Sequence, residues 1–209
     1  MRRGSSRERG VPVEFWFDFA STYSYVAAMR IEDLCRDAGV ALVWRPFTLG
    51  PLFARQGWND SPFNLNPLRG NYMWRDMERL AAKFGLPWRR PSRFPRLATL
   101  PLRVACSIAD EAWCGAFVRR VFVANFGEDR EIGEREVVAA LLAELGHSPE
   151  AVLEAALAPS RREALRANTE RAIALGIFGA PDLVVDGELF WGEETLEDAL
   201  VWALRARAR

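Results

Sequence analysis

The sequence predicts an α/β fold in which a small sheet domain is interrupted by a large all-helical insertion, and three observations carry that prediction. Residues 13–19 form an apolar run that reads as a buried strand and passes, through a turn with a hydroxyl at Ser21, into a helical pattern. Near the other end, Gly179-Ala180-Pro181 bends into the apolar run 183–185. An Asp186-Gly187 turn and residues 188–191 then complete a hairpin signal. Between Pro46 and Ala174 strand signals vanish and helical periodicity replaces them.

Taken in order, the first strand at 13–19 is followed by a helix over 22–38 that Gly39 closes. A second strand over 41–46 stops at Pro46, which has no N–H for a sheet ladder. Helical patterns then run over 69–84, 100–126, 134–145, 149–156 and 160–175, separated by Pro, Gly, Asp and Ser punctuation. The hairpin over 183–191 and a closing helix over 195–205 complete the sheet domain. The expected units are 11–50 with 175–209 for the sheet domain and 51–174 for the helical insert, with no internal repeat.

Composition bounds the function. The chain has 209 residues, of which 50% are hydrophobic, enough for a sizeable core. Its 28 basic and 28 acidic residues cancel, which argues against a nucleic-acid or acidic-surface role. Lys83 is the sole lysine, so the arginine pairs Arg89-Arg90 and Arg119-Arg120 read as solvated faces produced by an arginine bias. No apolar stretch approaches membrane-spanning length, and residues 1–10 are basic and polar without the apolar centre of a secretory signal, reading instead as a frayed tail. A cytoplasmic location is expected, and free thiols suit it. Cys35, Cys106 and Cys114 fall in helical stretches without metal-ligand spacing and read as buried core thiols; no metal site is expected.

The order of strand, reactive turn, long interruption and proline-led hairpin resembles a thioredoxin-like domain with something inserted. Thioredoxin-like oxidoreductases place C-x-x-C where Ser21-Thr22-Tyr23-Ser24 stands here, because a low-pKa thiolate at a helix start does their chemistry. A serine hydroxyl does not ionise near neutral pH, so an S-x-x-S turn needs a thiol from elsewhere. Ser21 is an excellent helix N-cap, and its hydroxyl together with the unpaired N–H groups of a first helical turn would favour an anion there. A bound thiol would thereby be biased toward thiolate, making Ser21 a stabiliser and not a covalent nucleophile. The single histidine, His147, lies in an expected inter-helix turn far from both segments and reads as a surface residue.

Four collinear blocks make the resemblance specific: F-D-F-x-S-x-Y-S-Y from Phe17, W-R-P-F-T-L-G-P-L-F from Trp44, N-Y-M-W-R-D-M from Asn71, and the stretch from Gly176 to Gly192. Over nearly the whole chain the sequence resembles the kappa-class glutathione transferases and their bacterial relatives, the glutathione-dependent 2-hydroxychromene-2-carboxylate isomerases. The resemblance implies glutathione as cofactor and Ser21 as the catalytic residue. It implies glutathione contacts from Asn59 and from Arg69, which takes the place of a family lysine. It also implies a cis bond at Pro181 that turns the Ala180 backbone toward the ligand, and a γ-glutamyl contact at Glu193 and Glu194, where Glu194 replaces a family aspartate.

Departures bear more on the substrate than on the glutathione. Thr22 stands where the family commonly has proline, and Leu97 replaces an asparagine that helps line the isomerases' substrate pocket. Trp16, Phe47, Phe53 and Trp58 are candidates for an aromatic-binding wall. The activity implied is isomerisation of 2-hydroxychromene-2-carboxylate, or a close aromatic analogue, with its open-chain benzylidenepyruvate form. A glutathione transferase and a non-catalytic glutathione-binding module are the alternatives. Family members pair, so a homodimer is expected, with a small aromatic acid as the other partner. No disulfide exchange is expected, because Cys106 and Cys114, in one predicted helix, would lie roughly 12 Å apart at 1.5 Å rise per residue.

Overall fold

A computed structural model describes residues 11–207; the tail expected at 1–10 and the last two residues lie outside it. Its strands are β1 (Val13–Phe17), β2 (Leu42–Pro46), β3 (Asp182–Val185) and β4 (Glu188–Trp191). In chain order the helices are α1 (Thr22–Ala28), α2 (Ile31–Ala38), α3 (Leu49–Arg55), α4 (Pro62–Leu65), α5 (Pro67–Phe84), α6 (Thr99–Ser107), α7 (Cys114–Phe126), α8 (Arg135–Glu144), α9 (Pro149–Leu157), α10 (Pro159–Ala174) and α11 (Leu196–Arg207).

The sheet runs β2-β1-β3-β4, with β1 parallel to β2 and antiparallel to β3. Successive strand residues point to opposite faces, so β1 sends Phe15 and Phe17 one way and Trp16 the other, and all three are fully buried. Helices cover both faces, which is why this strand reads as a continuous apolar run. On one side Phe15, Phe17, Leu183 and Val185 join residues of α1, α2, α7 and α11. On the other, Trp16, Phe47 and Val184 pack with Leu49 and Leu52 of α3 and Ala172 of α10. The β3–β4 turn puts Asp186 (φ 52) and Gly187 (φ 85) in left-handed conformation, as an Asp-Gly hairpin requires.

Sheet domain and insert share one core. Phe19, just beyond β1, packs at 4.9 Å from Phe122 of α7, and Tyr25 of α1 stacks at 5.7 Å on Phe126. The Tyr25 hydroxyl donates to the Pro87 carbonyl at 2.6 Å. A polar tie runs beside these rings. Arg96, whose side chain is 2% exposed, donates to Asn125 Oδ1 at 3.0 Å and pairs with Asp129, while Asn125 Nδ2 donates to the Phe19 carbonyl at 2.8 Å.

Several expected elements are corrected. The helix over 22–38 is two helices, broken at Met29 and Arg30, and the break lets Arg30 lie 4.1 Å over the Phe84 ring and reach Glu193. The stretch 100–126 is also two helices, α6 and α7, so Cys106 and Cys114 do not share one and their separation cannot be read from helical rise. Two further helices, α3 and α4, lie between β2 and α5, the latter started by Ser61, whose Oγ accepts the Phe63 N–H at 3.3 Å, with Pro62 at its first position.

Replacing Arg96 by methionine keeps the stem but removes the guanidinium from Asn125 and leaves Asp129 only the more distant Arg89, at 3.8 Å. Such one-sided removal from a buried pair costs about 3 kcal/mol, and urea unfolding of Arg96→Met should show that loss. A loss no larger than the ~1 kcal/mol typical of surface pairs would mean the tie holds nothing.

Candidate functional site

The site begins where β1 ends. Asp18 accepts the Ala20 N–H at 3.0 Å through Oδ1 and the Leu49 N–H at 2.8 Å through Oδ2, while its own carbonyl accepts the Ser21 N–H at 3.0 Å. One buried carboxylate thus closes the turn and fastens it to the start of α3. Ser21 sits at the N-cap of α1 in extended conformation (φ −86, ψ 121) and its Oγ accepts the Ser24 N–H at 3.2 Å. The same Oγ donates to the Ala180 carbonyl at 2.8 Å, across 159 residues of sequence, and the Ala180–Pro181 peptide is cis. With α1 only seven residues long, its dipole is a weaker help to an anion than the 17 residues expected over 22–38 would have supplied.

A cavity of about 1220 Å³ opens over this contact. Ser21, Asn59, Arg69, Ala180, Pro181, Glu193 and Glu194, the residues singled out from sequence, all line it. Their states differ. Asn59, Arg69 and Glu194 are exposed, and Arg69 and Glu194 make no ion pair among the described residues. Glu193 is buried and held by Arg30 at 3.0 Å, and burial raises its carboxyl above the usual range, so its side chain is committed to the protein.

The expected aromatic wall is half right. Phe53 and Trp58, 5.7 Å apart, line the cavity, but Trp16 and Phe47 are fully buried in the second core beneath it. The wall continues through residues that sequence reasoning passed over. Phe178 and Trp191 pair at 5.2 Å, Phe63 packs 6.1 Å from Tyr23, and the Tyr23 hydroxyl donates to Asp76 at 3.1 Å. Tyr23 lay inside the first sequence block; the pairing with Asp76 on α5 had no local signal. Leu97 is 77% exposed on the cavity lining, and the Phe94–Pro95 peptide preceding it is cis.

No thiol serves this site. Burial pushes Cys35, Cys106 and Cys114 each up to about 12, and none lines the cavity. His147 is half-buried, not simply at the surface, because it stacks on Trp113 at 3.7 Å. Among the described residues no three His, Cys, Asp or Glu side chains converge as metal ligands, and no helix is long and apolar enough to cross a membrane.

Two carboxyls near the Ser21–Ala180 contact are perturbed. Desolvation raises Asp18 to about 6 against the lowering effect of its two backbone N–H partners. Desolvation raises Asp182, next to Pro181 and fully buried with neither carboxylate oxygen hydrogen-bonded, to about 8. A raised folded-state pKa means the unfolded chain releases its proton first, so stability falls as pH rises. For Asp182 that fall runs from about 4, the unfolded value, to about 8. For Asp18 it ends near 6. Asp182→Asn should therefore gain at least ~1 kcal/mol over wild type at pH 9 and nothing at pH 4, by thermal unfolding at both. An equal effect at the two pH values would show that Asp182 does not titrate in this range.

Residues 12–201 match the family model described as DSBA-like thioredoxin domain. A 2-hydroxychromene-2-carboxylate isomerase from Sphingobium xenophagum is 27% identical over 88% of this chain and 94% of its own length. A glutathione S-transferase kappa 1 from Caenorhabditis elegans is 24% identical over 84% of this chain and 81% of its own. A solved 2-hydroxychromene-2-carboxylate isomerase superposes with a TM-score of 0.83 at 25% identity, covering 94% of this chain and 97% of that one.

Proposed function

Because the chain belongs to the DsbA-like thioredoxin domain family yet has serine where thiol chemistry would sit, we propose that it is a glutathione-dependent isomerase of the 2-hydroxychromene-2-carboxylate type. The observation that carries this reading is Ser21 Oγ meeting the Ala180 carbonyl on the floor of a large, largely apolar-walled cavity. The thiol comes from glutathione, with its cysteinyl part along the Ala180 backbone and its γ-glutamyl end toward Glu193 and Glu194. Asn59 and Arg69 take its glycyl end, where the guanidinium can meet a carboxylate in bidentate fashion. The division into 11–50 with 175–209 and an insert over 51–174 puts the insert over the glutathione. A cytoplasmic homodimer remains the reading of location and assembly.

In the reaction, the thiolate adds to the unsaturated carbon of the open-chain acid. A C–S bond forms, the C=C π pair moves toward the carbonyl, and the former double bond becomes single and rotates. The electron pair then returns, the C–S bond breaks and the thiolate leaves unchanged; the rotated acid now holds its ring hydroxyl against the ketone carbon, the O–H adds across that C=O with its proton going to the carbonyl oxygen, and the chromene ring closes with no net redox. Phe53, Trp58 and Phe63 give the aromatic body an apolar wall. A transferase is the second reading. Leu97, exposed where the isomerases have an amide, favours it by leaving that end of the cavity without the hydrogen bond.

Glutathione should bind more tightly than cysteine or dithiothreitol, since both of its ends find partners that small thiols lack. Calorimetry without glutathione binding at millimolar concentration would remove the whole reading. With binding shown, turnover of the chromene carboxylate at catalytic glutathione selects the isomerase, and stoichiometric glutathione consumption with an aromatic electrophile selects the transferase.

Ser21→Ala should lower glutathione-dependent turnover roughly 10- to 1000-fold and cost about 1 kcal/mol of stability as a lost cap. Full turnover with the stability loss alone would reduce Ser21 to a helix cap.

A further inference from the structure

Ser21 is not the only hydroxyl at this site, and it is the busier one. Its proton goes to the Ala180 carbonyl at 2.8 Å and its lone pair takes the Ser24 N–H at 3.2 Å. To donate to a ligand it must give up an existing bond. Thr22, the next residue, also lines the cavity, is 1% exposed, and has no hydrogen-bond partner for its Oγ1. A buried hydroxyl without a partner is costly, and such groups are normally satisfied by protein, water or ligand. Ser24 Oγ is likewise unpartnered and buried, but Ser24 does not line the cavity.

We propose that Thr22 supplies a second hydroxyl donor to the sulfur of bound glutathione. This rests on the glutathione reading above and adds to it a catalytic residue particular to this chain, for the proline common at this position in the resembled family offers no donor. One staggered step about χ1 exchanges the threonine hydroxyl with its methyl without moving the backbone, and threonine in a helix divides between two such rotamers. In this structure Oγ1 is buried and bonded to nothing. With a thiolate beside Ser21 it turns outward and breaks no bond in doing so. Thr22 thus donates to the sulfur beside Ser21, whose own donation has to compete with its bond to the Ala180 carbonyl, and the thiol proton passes to solvent.

The test measures the thiol pKa of bound glutathione from the ultraviolet absorbance of its thiolate, in wild type, Thr22→Val, Thr22→Ser and Ser21→Ala, each saturated with glutathione by calorimetry. Thr22→Val preserves shape and removes the hydroxyl. It should raise the bound thiol pKa by about one unit, which is about tenfold less thiolate below that pKa, and lower turnover at least about tenfold. Thr22→Ser should recover most of the wild-type pKa. A merely structural threonine would change thermal stability and leave the thiol pKa alone, and a wild-type pKa in folded, glutathione-bound Thr22→Val overturns the proposal. If valine prevents folding, Thr22→Ala gives the same readout. Wild type that binds no glutathione removes the functional reading and this proposal together. Wild type that binds and lowers the thiol pKa, with Thr22→Val unaltered, removes Thr22 only.

Discussion

The hydrogen bond from Ser21 Oγ to the Ala180 carbonyl is the constraint on which the rest depends, because it joins the two parts of the chain that the insert separates. It exists only where β1 and β3 lie side by side with Trp16 opposite Asp182, so that the turn leaving β1 and the bend entering β3 arrive at the same edge. That register is set by burial. A slip of one residue would move Phe15 and Phe17 from the α1–α7 face to the α3–α10 face and strand Trp16 among the wrong partners.

Asp18 extends the same logic to the cavity wall. By taking one N–H from the turn and one from α3, it makes the floor under Ser21 and the start of the wall carrying Phe53 a single unit. The tie from Arg96 through Asn125 to the Phe19 carbonyl does this on the insert side. Both devices bury charge, and the cost shows in the raised carboxyl of Asp18. Asp182 has no such use: it is buried without a hydrogen-bond partner for either oxygen, and nothing in the packing explains why a carboxylate stands there.

What was legible in the sequence followed from local chemistry. A two-face-buried strand, an Asp-Gly hairpin and a serine cap each announce themselves within a few residues, and β1, β3, β4 and the Ser21 cap stand where those signals are. What was not legible depended on distant partners. Apolar periodicity runs through Met29–Arg30 and through residues 108–113, so the breaks there, one of which sends Arg30 to Glu193, carry no local mark. Aromatic character could not say which ring faces ligand: Trp16 and Phe53 look equivalent in sequence, and only strand polarity and the position of α3 put one in the core and the other on the wall. The residue Thr22 was visible as a departure from the resembled family, but its orphaned hydroxyl is a property of packing.

A site with hydroxyls in place of thiols changes what the fold can do with sulfur. A cysteine pair stores electrons, so a disulfide exchanger must alternate between two states of its own chain. Here Cys35 and Cys114 are buried and Cys106 half-buried, all three are pushed up to about 12 and lie away from the cavity, so on the proposed reading the chain's own thiols take no part and every sulfur step belongs to the ligand. Stabilising a ligand's thiolate too strongly would make it a poor nucleophile; stabilising it too weakly would leave it protonated. Neutral hydroxyl donors lower a thiol pKa without placing a full positive charge beside the sulfur, and so keep it reactive. The same balance makes the adduct's C–S bond breakable again, which reversible addition requires and a storage disulfide does not.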